Sequence, residues 1–102
     1  MSDQPAGSEQ SGADITIYTT RFCGFCVSAK RLLSSKRVSY VEIAVDGDRA
    51  MRAELLQRSG SHTVPQIWFG EHYVGGCNEL HALERSGKFA TVQQEFAPEA
   101  IA

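Results

Sequence analysis

The sequence predicts an α/β domain with a mixed four-stranded sheet flanked by helices, in the order β-α-β-α-β-β-α. Short β-branched segments alternate with helical segments in the first half of the chain, and two strands joined by a two-residue turn follow. A length of 102 residues, of which 42% are apolar and 22% charged, suits one domain with its own core. No apolar run approaches the roughly 20 residues that a membrane span requires, so we expect no membrane association.

The composition of the two ends sets the expected domain boundaries. Residues 1–13 are rich in Gly, Ser, Gln and Pro with almost nothing to bury, which predicts a disordered tail. Pro98 should stop the last helix, because proline cannot continue it. We therefore expect the domain at residues 14–97 and a short tail at residues 98–102.

The first half of the chain is predicted to form a parallel β-α-β unit. Residues 15–19 alternate and are β-branched, and residues 38–45 are also rich in β-formers, so both segments should be strands. Between them we expect a helix that begins at the two cysteines, with Cys26 and Ala29 on its apolar face. Because a helix joins the two strands, they should lie parallel with a right-handed crossover.

A second helix is expected after the second strand. Asp48 is a suitable N-cap, and Met51, Leu55 and Leu56 form an apolar stripe one turn further on. Gly60 suits the C-terminal end of this helix, because glycine adopts the left-handed backbone conformation that often ends helices.

The remaining segments predict a hairpin followed by helices. Residues 65–69 and 72–74 should be antiparallel strands, joined by a Gly-Glu turn at residues 70 and 71. Asn78 is the expected N-cap of the next helix. The spacing of three apolar residues predicts a last short helix that packs back on the domain; they are Phe89, Val92 and Phe96.

The Cys-x-x-Cys pair stands where a strand gives way to a helix, and this position has a chemical consequence. Unpaired N–H groups and the positive end of the helix dipole point at Cys23, and both favour its thiolate form. A thiolate is the attacking species in disulfide exchange. Cys26 returns beneath Cys23 after nearly one turn. We therefore predict that Cys23 attacks and that Cys26 resolves the resulting mixed disulfide.

Positive charge surrounds this pair. Residues 15–41 carry several basic side chains and neither Asp nor Glu. Positive potential favours a thiolate and attracts an anionic substrate. The net charge of the whole chain is only −2, which argues against a general nucleic-acid binder.

Other interpretations of the cysteines stay open. An odd count of three differs from the even, dense set of a secreted scaffold, so we expect a reducing, cytoplasmic location. A zinc ion would need Cys77 and His81, which lie beyond the roughly 12–20-residue spacing of common zinc ribbons. The pair could also be inert core thiols. An iron–sulfur cluster would need a dimer donating Cys23 from each chain, together with two external thiols.

Four features together resemble the glutaredoxin family. They are Cys-Gly-Phe-Cys at residues 23–26, Thr-Val-Pro-Gln at 63–66, Gly-Gly-Cys-Asn-Glu at 75–79, and their order relative to the strands. The similarity spans residues 14–97 and is closest to small bacterial dithiol glutaredoxins. It implies a thioredoxin-like fold, glutathione as cosubstrate, and a monomer that dimerises only around a cluster.

The resemblance also implies which residues hold glutathione. Val64 and Pro65 should be joined by a cis peptide bond, so that the backbone at Thr63 and Val64 can pair with the cysteinyl unit. A helix N-terminus farther along should receive the carboxylate of the γ-glutamyl end. The residues at this helix start are Gly76, Cys77 and Asn78.

The chain departs from the family pattern at several of these positions. Asn78 stands where the family commonly has Asp, which removes a negative charge beside the ligand's α-amino group. Arg21 is the candidate partner of the glycyl carboxylate, because Thr20 replaces the usual Lys. Arg52 matches a second polar contact. Phe25 replaces the usual Tyr, so its ring can flank the ligand without offering a hydroxyl.

The sequence thus predicts a glutathione-dependent thiol–disulfide oxidoreductase that acts on glutathionylated or disulfide-containing proteins. Gly24 replaces a common Pro, and in related sequences this accompanies a glutathione-ligated 2Fe–2S cluster. The alternative is therefore a cluster-binding dimer, a carrier or sensor with Cys23 as ligand. A thioredoxin-like reductant served by a flavin reductase would share the fold and would turn over without glutathione.

Overall fold

The alternation of β-branched and helical segments produces four strands and four helices within residues 14–100, the part of the chain that the computed structural model describes. The strands are β1 (Ile15–Thr19), β2 (Val41–Ala44), β3 (Gln66–Phe69) and β4 (His72–Gly75). The helices are α1 (Gly24–Ser35), α2 (Arg49–Ser59), α3 (Cys77–Arg85) and α4 (Phe89–Phe96). The predicted tail at residues 1–13 lies outside the described residues.

The sheet has the strand order β2-β1-β3-β4. β1 and β2 are parallel, as expected of strands joined by a helix, whereas β3 runs antiparallel to both β1 and β4. This arrangement confirms the predicted mixed four-stranded sheet and its thioredoxin-like fold. No helix within residues 14–100 has the length and apolar character that crossing a membrane would demand.

Helices cover both faces of the sheet, because its two inner strands are apolar on both sides. β3 is buried along its whole length, a pattern typical of a sheet that is covered on two faces. Ile17 and Phe69 face α1, α3 and α4 in one core cluster. Tyr18 and Trp68 face the opposite way and pack with Leu55 of α2.

The second strand is shorter than the predicted range of residues 38–45. Its parallel register with β1 runs from Thr16 opposite Val41 to Thr19 opposite Ala44. Val45 lies beyond the strand but still donates its N–H to the Thr19 carbonyl at 2.8 Å.

α2 begins and ends as predicted. The Asp48 carboxylate accepts the Met51 N–H at 3.0 Å, and Gly60 ends the helix with a left-handed φ of 79°. The predicted apolar stripe is wrong at Leu56, which is 46% exposed. Leu55 turns toward the sheet, and its neighbour one position on therefore points away.

The C-terminal segment packs against the domain as far as it is described. The Phe89 ring meets Phe69 edge to face at 5.5 Å. The Glu99 N–H donates to the Asp14 carboxylate at 3.1 Å, and Ala100 is fully buried. Packing thus extends beyond residue 97, the expected domain boundary.

Candidate active site

The predicted redox pair lies at the N-terminus of α1. Cys23 is the N-cap residue, Cys26 lies in the first turn, and the two form a disulfide with their Cα atoms 5.2 Å apart. The Cys26 N–H also donates to the Cys23 Sγ at 3.0 Å. Cys23 is half-buried, whereas Cys26 is only 2% exposed. The helix thus directs an N–H donor at the more accessible sulfur, which favours a thiolate there once the disulfide is reduced.

A carboxylate from the loop after β2 holds the residues that precede Cys23. The Arg21 backbone N–H donates to both Asp46 oxygens, at 3.0 and 3.2 Å, and the Arg21 Nε lies 3.6 Å from one of them. The Arg21 backbone N–H is the main reason that the pKa of Asp46 lies below its ordinary value of 3.8. Phe22 follows with φ 56° and a fully exposed side chain.

A cavity of about 370 Å³, here called the first cavity, brings together most of the residues that the resemblance assigns to glutathione. They come from α1, from the segment before β3 and from the start of α3. The lining residues are Phe25, Thr63, Val64, Pro65, Gly76, Cys77, Asn78 and Glu79.

The segment before β3 forms one wall of the first cavity. Its Val64–Pro65 peptide bond is cis, as the resemblance implies. The hydroxyls of Ser61 and Thr63 are hydrogen-bonded at 2.9 Å. The Gln66 side chain donates to the Ser61 carbonyl at 2.7 Å from a fully buried position. These bonds tie the exposed end of the segment to β3.

Two glycines and a glutamate shape the opposite wall. Gly76 is the N-cap of α3, and the Glu79 carboxylate accepts its N–H at 2.8 Å. The predicted cap, Asn78, is wrong: it lies within the first turn, and Glu79 at the third helical position supplies the side-chain cap instead. Gly75 has φ 127°, and a Cβ there would lie 2.7 Å from the Cβ and Cγ of Glu79. Only glycine allows this carboxylate to fold back.

Glu79 is the one lining residue that the sequence did not single out for the site. Its signal was present, because an acidic residue at the third position of a helix is a common partner of the cap N–H. Cys77, which lines the same cavity, is a free thiol and 8% exposed.

The two predicted basic ligands lie away from the first cavity. Arg21 is engaged by Asp46. The Arg52 guanidinium donates to the His62 carbonyl at 3.0 Å. Neither arginine contributes to the lining of the first cavity. The local sequence around each arginine gives no indication of these partners.

A second cavity, of about 210 Å³, is lined by both cysteines. The Lys30 Nζ lies 3.0 and 3.2 Å from the two carboxylate oxygens of Glu42, and the Thr19 hydroxyl donates to the nearer one at 2.8 Å. These three residues come from α1, β2 and β1 and were not singled out from the sequence. The rest of the lining is residues 20–22, Val27 and Ala44.

The suggested zinc ligands do not gather around the redox pair. Within residues 14–100, no three His, Cys, Asp or Glu side chains lie close enough to share a metal ion. His81 instead places its Nε2 3.1 Å from the Ser28 hydroxyl, between α3 and α1.

Comparisons with known proteins point to one family. A family model described as Glutaredoxin matches residues 15–74. A glutaredoxin of Pseudomonas aeruginosa is 58% identical over 74 residues, which cover 72% of this chain and 88% of that protein. Glutaredoxin 3 of Escherichia coli is 48% identical over 75 residues, which cover 74% and 90%.

Solved structures agree with this result. The solution structure of a glutaredoxin from Brucella melitensis is 41% identical with a TM-score of 0.71, covering 83% of this chain and 92% of that one. A crystal structure of a buckwheat glutaredoxin–glutathione complex is 30% identical with a TM-score of 0.78, covering 87% and 82%.

Proposed function

Because this chain belongs to the glutaredoxin family of thiol–disulfide oxidoreductases, we propose that it uses glutathione to reduce protein–glutathione mixed disulfides and protein disulfides. One observation carries the proposal: the Cys23 Sγ accepts an N–H bond at a helix N-terminus and is the more accessible sulfur of the pair. The first cavity begins at Phe25, two positions further along the same helix. The buckwheat relative was solved as a complex with glutathione, which supports glutathione as the ligand.

In the proposed reaction, the Cys23 thiolate attacks the glutathione sulfur of a protein–glutathione disulfide. The sulfur–sulfur bond to the protein breaks, the protein leaves as a thiolate, and Cys23 becomes glutathionylated. A second glutathione thiolate then attacks the adduct, which releases oxidised glutathione and regenerates Cys23. In the dithiol route, Cys26 attacks the Cys23 sulfur instead and releases reduced glutathione, leaving the Cys23–Cys26 disulfide.

The first cavity would offer partners for the cysteinyl unit and the γ-glutamyl end of glutathione. Val64 is half-buried in the cavity wall, where its backbone would pair with the cysteinyl unit in the manner of a strand. The N–H groups at the start of α3, around Cys77 and Asn78, would receive the γ-glutamyl carboxylate. The ring of Phe25, 65% exposed, would flank the ligand.

The glycyl carboxylate is assigned to Arg21 or Arg52. Both side chains already have partners, so binding would require an exchange. Arg21 would leave the Asp46 carboxylate, and Arg52 would leave the His62 carbonyl. Arg52 would give up a hydrogen bond of 3.0 Å, whereas the Arg21 side chain would give up only an exposed ion pair at 3.6 Å, because its backbone bonds to Asp46 would stay. Arg21 is therefore the easier of the two to recruit.

A coupled turnover assay with a small disulfide substrate tests the proposal. With NADPH, glutathione and glutathione reductase present, we expect NADPH consumption that depends on this protein. With NADPH and thioredoxin reductase but no glutathione, we expect only the background rate. Equal turnover in the second mixture would contradict the proposal and favour the thioredoxin-like alternative.

The cluster-binding dimer remains a separate prediction, with Cys23 as the ligand of a 2Fe–2S cluster. Its test is the visible absorption spectrum and elution volume of protein purified without oxygen. A brown dimer that bleaches when glutathione is removed would support the cluster, whereas a colourless monomer with glutathione-dependent turnover supports the enzyme.

A further inference from the structure

We propose that Glu42, oriented by Lys30 and Thr19, accepts the proton of Cys26 and thereby controls closure of the Cys23–Cys26 disulfide. This inference rests on the proposed function, because closure is the step at which the dithiol route separates from attack by a second glutathione. It assigns a role to the second cavity, which the glutathione route leaves unused.

Cys26 needs such a partner because it is almost completely buried. Its side chain is 2% exposed, and burial away from water favours the neutral, protonated form of a thiol. Only a thiolate attacks a disulfide, so the proton must leave as the new bond forms. The backbone N–H of Cys26 donates to the Cys23 sulfur and gives the Cys26 sulfur no stabilisation.

The second cavity joins Cys26 to a carboxylate that is held in place. Glu42 Oε2 accepts bonds from the Lys30 Nζ at 3.0 Å and the Thr19 hydroxyl at 2.8 Å, and Oε1 accepts from Lys30 alone at 3.2 Å. Oε1 therefore has more capacity left to receive a proton. Thr19 is 2% exposed, so its hydroxyl is fixed by the surrounding β-sheet.

The size of the second cavity permits a solvent relay from sulfur to carboxylate. Its volume of about 210 Å³ exceeds the roughly 30 Å³ that one water molecule occupies in the liquid. The Glu42 side chain is 33% exposed, so a proton that it accepts can pass on to bulk solvent. Among the described residues, the other charged groups facing this cavity are Lys30 and Arg21, and Arg21 is paired with Asp46 at the cavity rim.

The Cys26 thiol transfers its proton through solvent to the Glu42 carboxylate while its sulfur attacks the Cys23 sulfur of the glutathione adduct. The Cys26–Cys23 bond forms, the Cys23–glutathione bond breaks, and glutathione leaves as a thiolate. Over the whole reaction, Cys23 and Cys26 are oxidised to a disulfide, and the protein–glutathione disulfide that formed the adduct is reduced to a protein thiol and glutathione.

The test separates adduct formation from closure in one experiment. Reduced protein is mixed with oxidised glutathione, quenched in acid at short intervals, and the glutathione adduct and the internal disulfide are quantified by mass spectrometry. The variants are Glu42→Gln and Thr19→Val. The matched control is Glu84→Gln, because the Lys36–Glu84 pair has a similar distance of 2.9 Å and similar exposure, 31% and 36%, but lies outside the second cavity.

We expect adduct formation to be unchanged in all variants and closure to slow only in those of the second cavity. Glu42→Gln should slow closure about a hundredfold, the weak end of the roughly 10²–10⁴-fold that a positioned general base contributes, and Thr19→Val by less. Glu84→Gln should close at the wild-type rate. Raising the pH should restore closure in Glu42→Gln, because hydroxide replaces the missing base, whereas a damaged fold would not recover.

Three outcomes would overturn the inference, and they differ from one another. If Glu42→Gln forms the adduct normally and its closure rate is within twofold of wild type, Glu42 does not accept the Cys26 proton. The proposed function would then be unaffected. Failure of wild-type protein to form any glutathione adduct removes the proposed function, and the inference with it. Slow closure that does not recover at high pH would indicate a structural effect of the substitution and would also reject the relay.

Discussion

The two cavities beside α1 are lined by different kinds of chemical groups. The first cavity is formed by turns, glycines and a helix N-terminus, and its one acidic side chain is turned back onto the Gly76 N–H. The second cavity touches both cysteines and contains a Lys30–Glu42 ion pair. Backbone donors and an apolar wall suit the binding of a peptide-like ligand, whereas an ion pair beside a buried thiol suits proton transfer. If the two proposals hold, we expect glutathione binding and disulfide closure to be affected by different substitutions.

The largest effect is expected from replacing Cys23, because its sulfur takes part both in glutathione transfer and in closure of the disulfide. Cys23→Ser should reduce deglutathionylation of a glutathionylated peptide to the uncatalysed background, because a hydroxyl cannot form the mixed disulfide. Cys26→Ser should keep most of that activity, since the second glutathione can regenerate Cys23 without it. Full activity in Cys23→Ser would contradict the assignment of both cavities.

A substitution behind the wall of the first cavity, at Gly75, should lower the stability of the fold and the affinity for glutathione. Gly75→Ala places a Cβ against Glu79 at a φ of 127°, so we expect a loss of about 1–3 kcal/mol in the free energy of unfolding and a higher KM for glutathione. The control is Gly47→Ala, where φ is 70° but the space around the Cβ is open. Urea unfolding and steady-state kinetics measure both variants. An equal KM in the two would show that the wall does not shape the glutathione site.

A smaller effect is expected from restoring the family's charge at the start of α3. Asn78→Asp adds a carboxylate beside the α-ammonium of glutathione, so KM for glutathione should fall about two- to threefold, which corresponds to less than 1 kcal/mol. Ala50→Asp adds the same charge to the first turn of α2, away from the first cavity, and should leave KM unchanged. An unchanged or higher KM in Asn78→Asp would show that the γ-glutamyl end of glutathione does not bind beside residue 78.

The smallest effect is expected from Asp46→Asn, which should lower the stability of the fold by an amount that depends on pH. Because the folded state lowers the pKa of Asp46, ionised Asp46 adds stability above its unfolded pKa, and this is lost as pH falls through the folded value. Wild type should therefore be more stable than Asp46→Asn at pH 7, and the gap should close below about pH 4. Thermal unfolding of both proteins from pH 7 to pH 2 measures this. A gap that is constant with pH would show that the carboxylate charge has no role.

The sequence was informative where function depends on neighbours in the chain. The order of strands and helices, the Asp48 and Gly60 ends of α2 and the placing of Cys23 at the start of α1 follow from local patterns. Three short motifs contain all eight residues of the first cavity, and the resemblance assigned all of them except Glu79 to glutathione. One local prediction was wrong: Asn78 is not the N-cap of α3. Gly76 is the N-cap, and the Glu79 carboxylate accepts its N–H.

The lining of the second cavity and the partner of Arg21 could not be predicted, because they depend on contacts that form only when the sheet assembles. Glu42 meets Lys30 and Thr19 because β2 lies beside β1 under the first helix, and nothing in the sequence near any one of them indicates the other two. The engagement of Arg21 by Asp46 likewise joins the loops at the ends of two parallel strands. An arginine that looks available in the sequence can thus be occupied in the fold.

The most direct test of the central claim locates the first covalent bond to glutathione. The reduced Cys26→Ser variant, which cannot close an internal disulfide, is mixed with oxidised glutathione and digested, and the modified peptide is identified by mass spectrometry. We predict one glutathione per chain, on Cys23, with Cys77 unmodified because it is 8% exposed. A glutathione on Cys77, or none on Cys23, would contradict the claim that the sulfur at the start of α1 exchanges with glutathione.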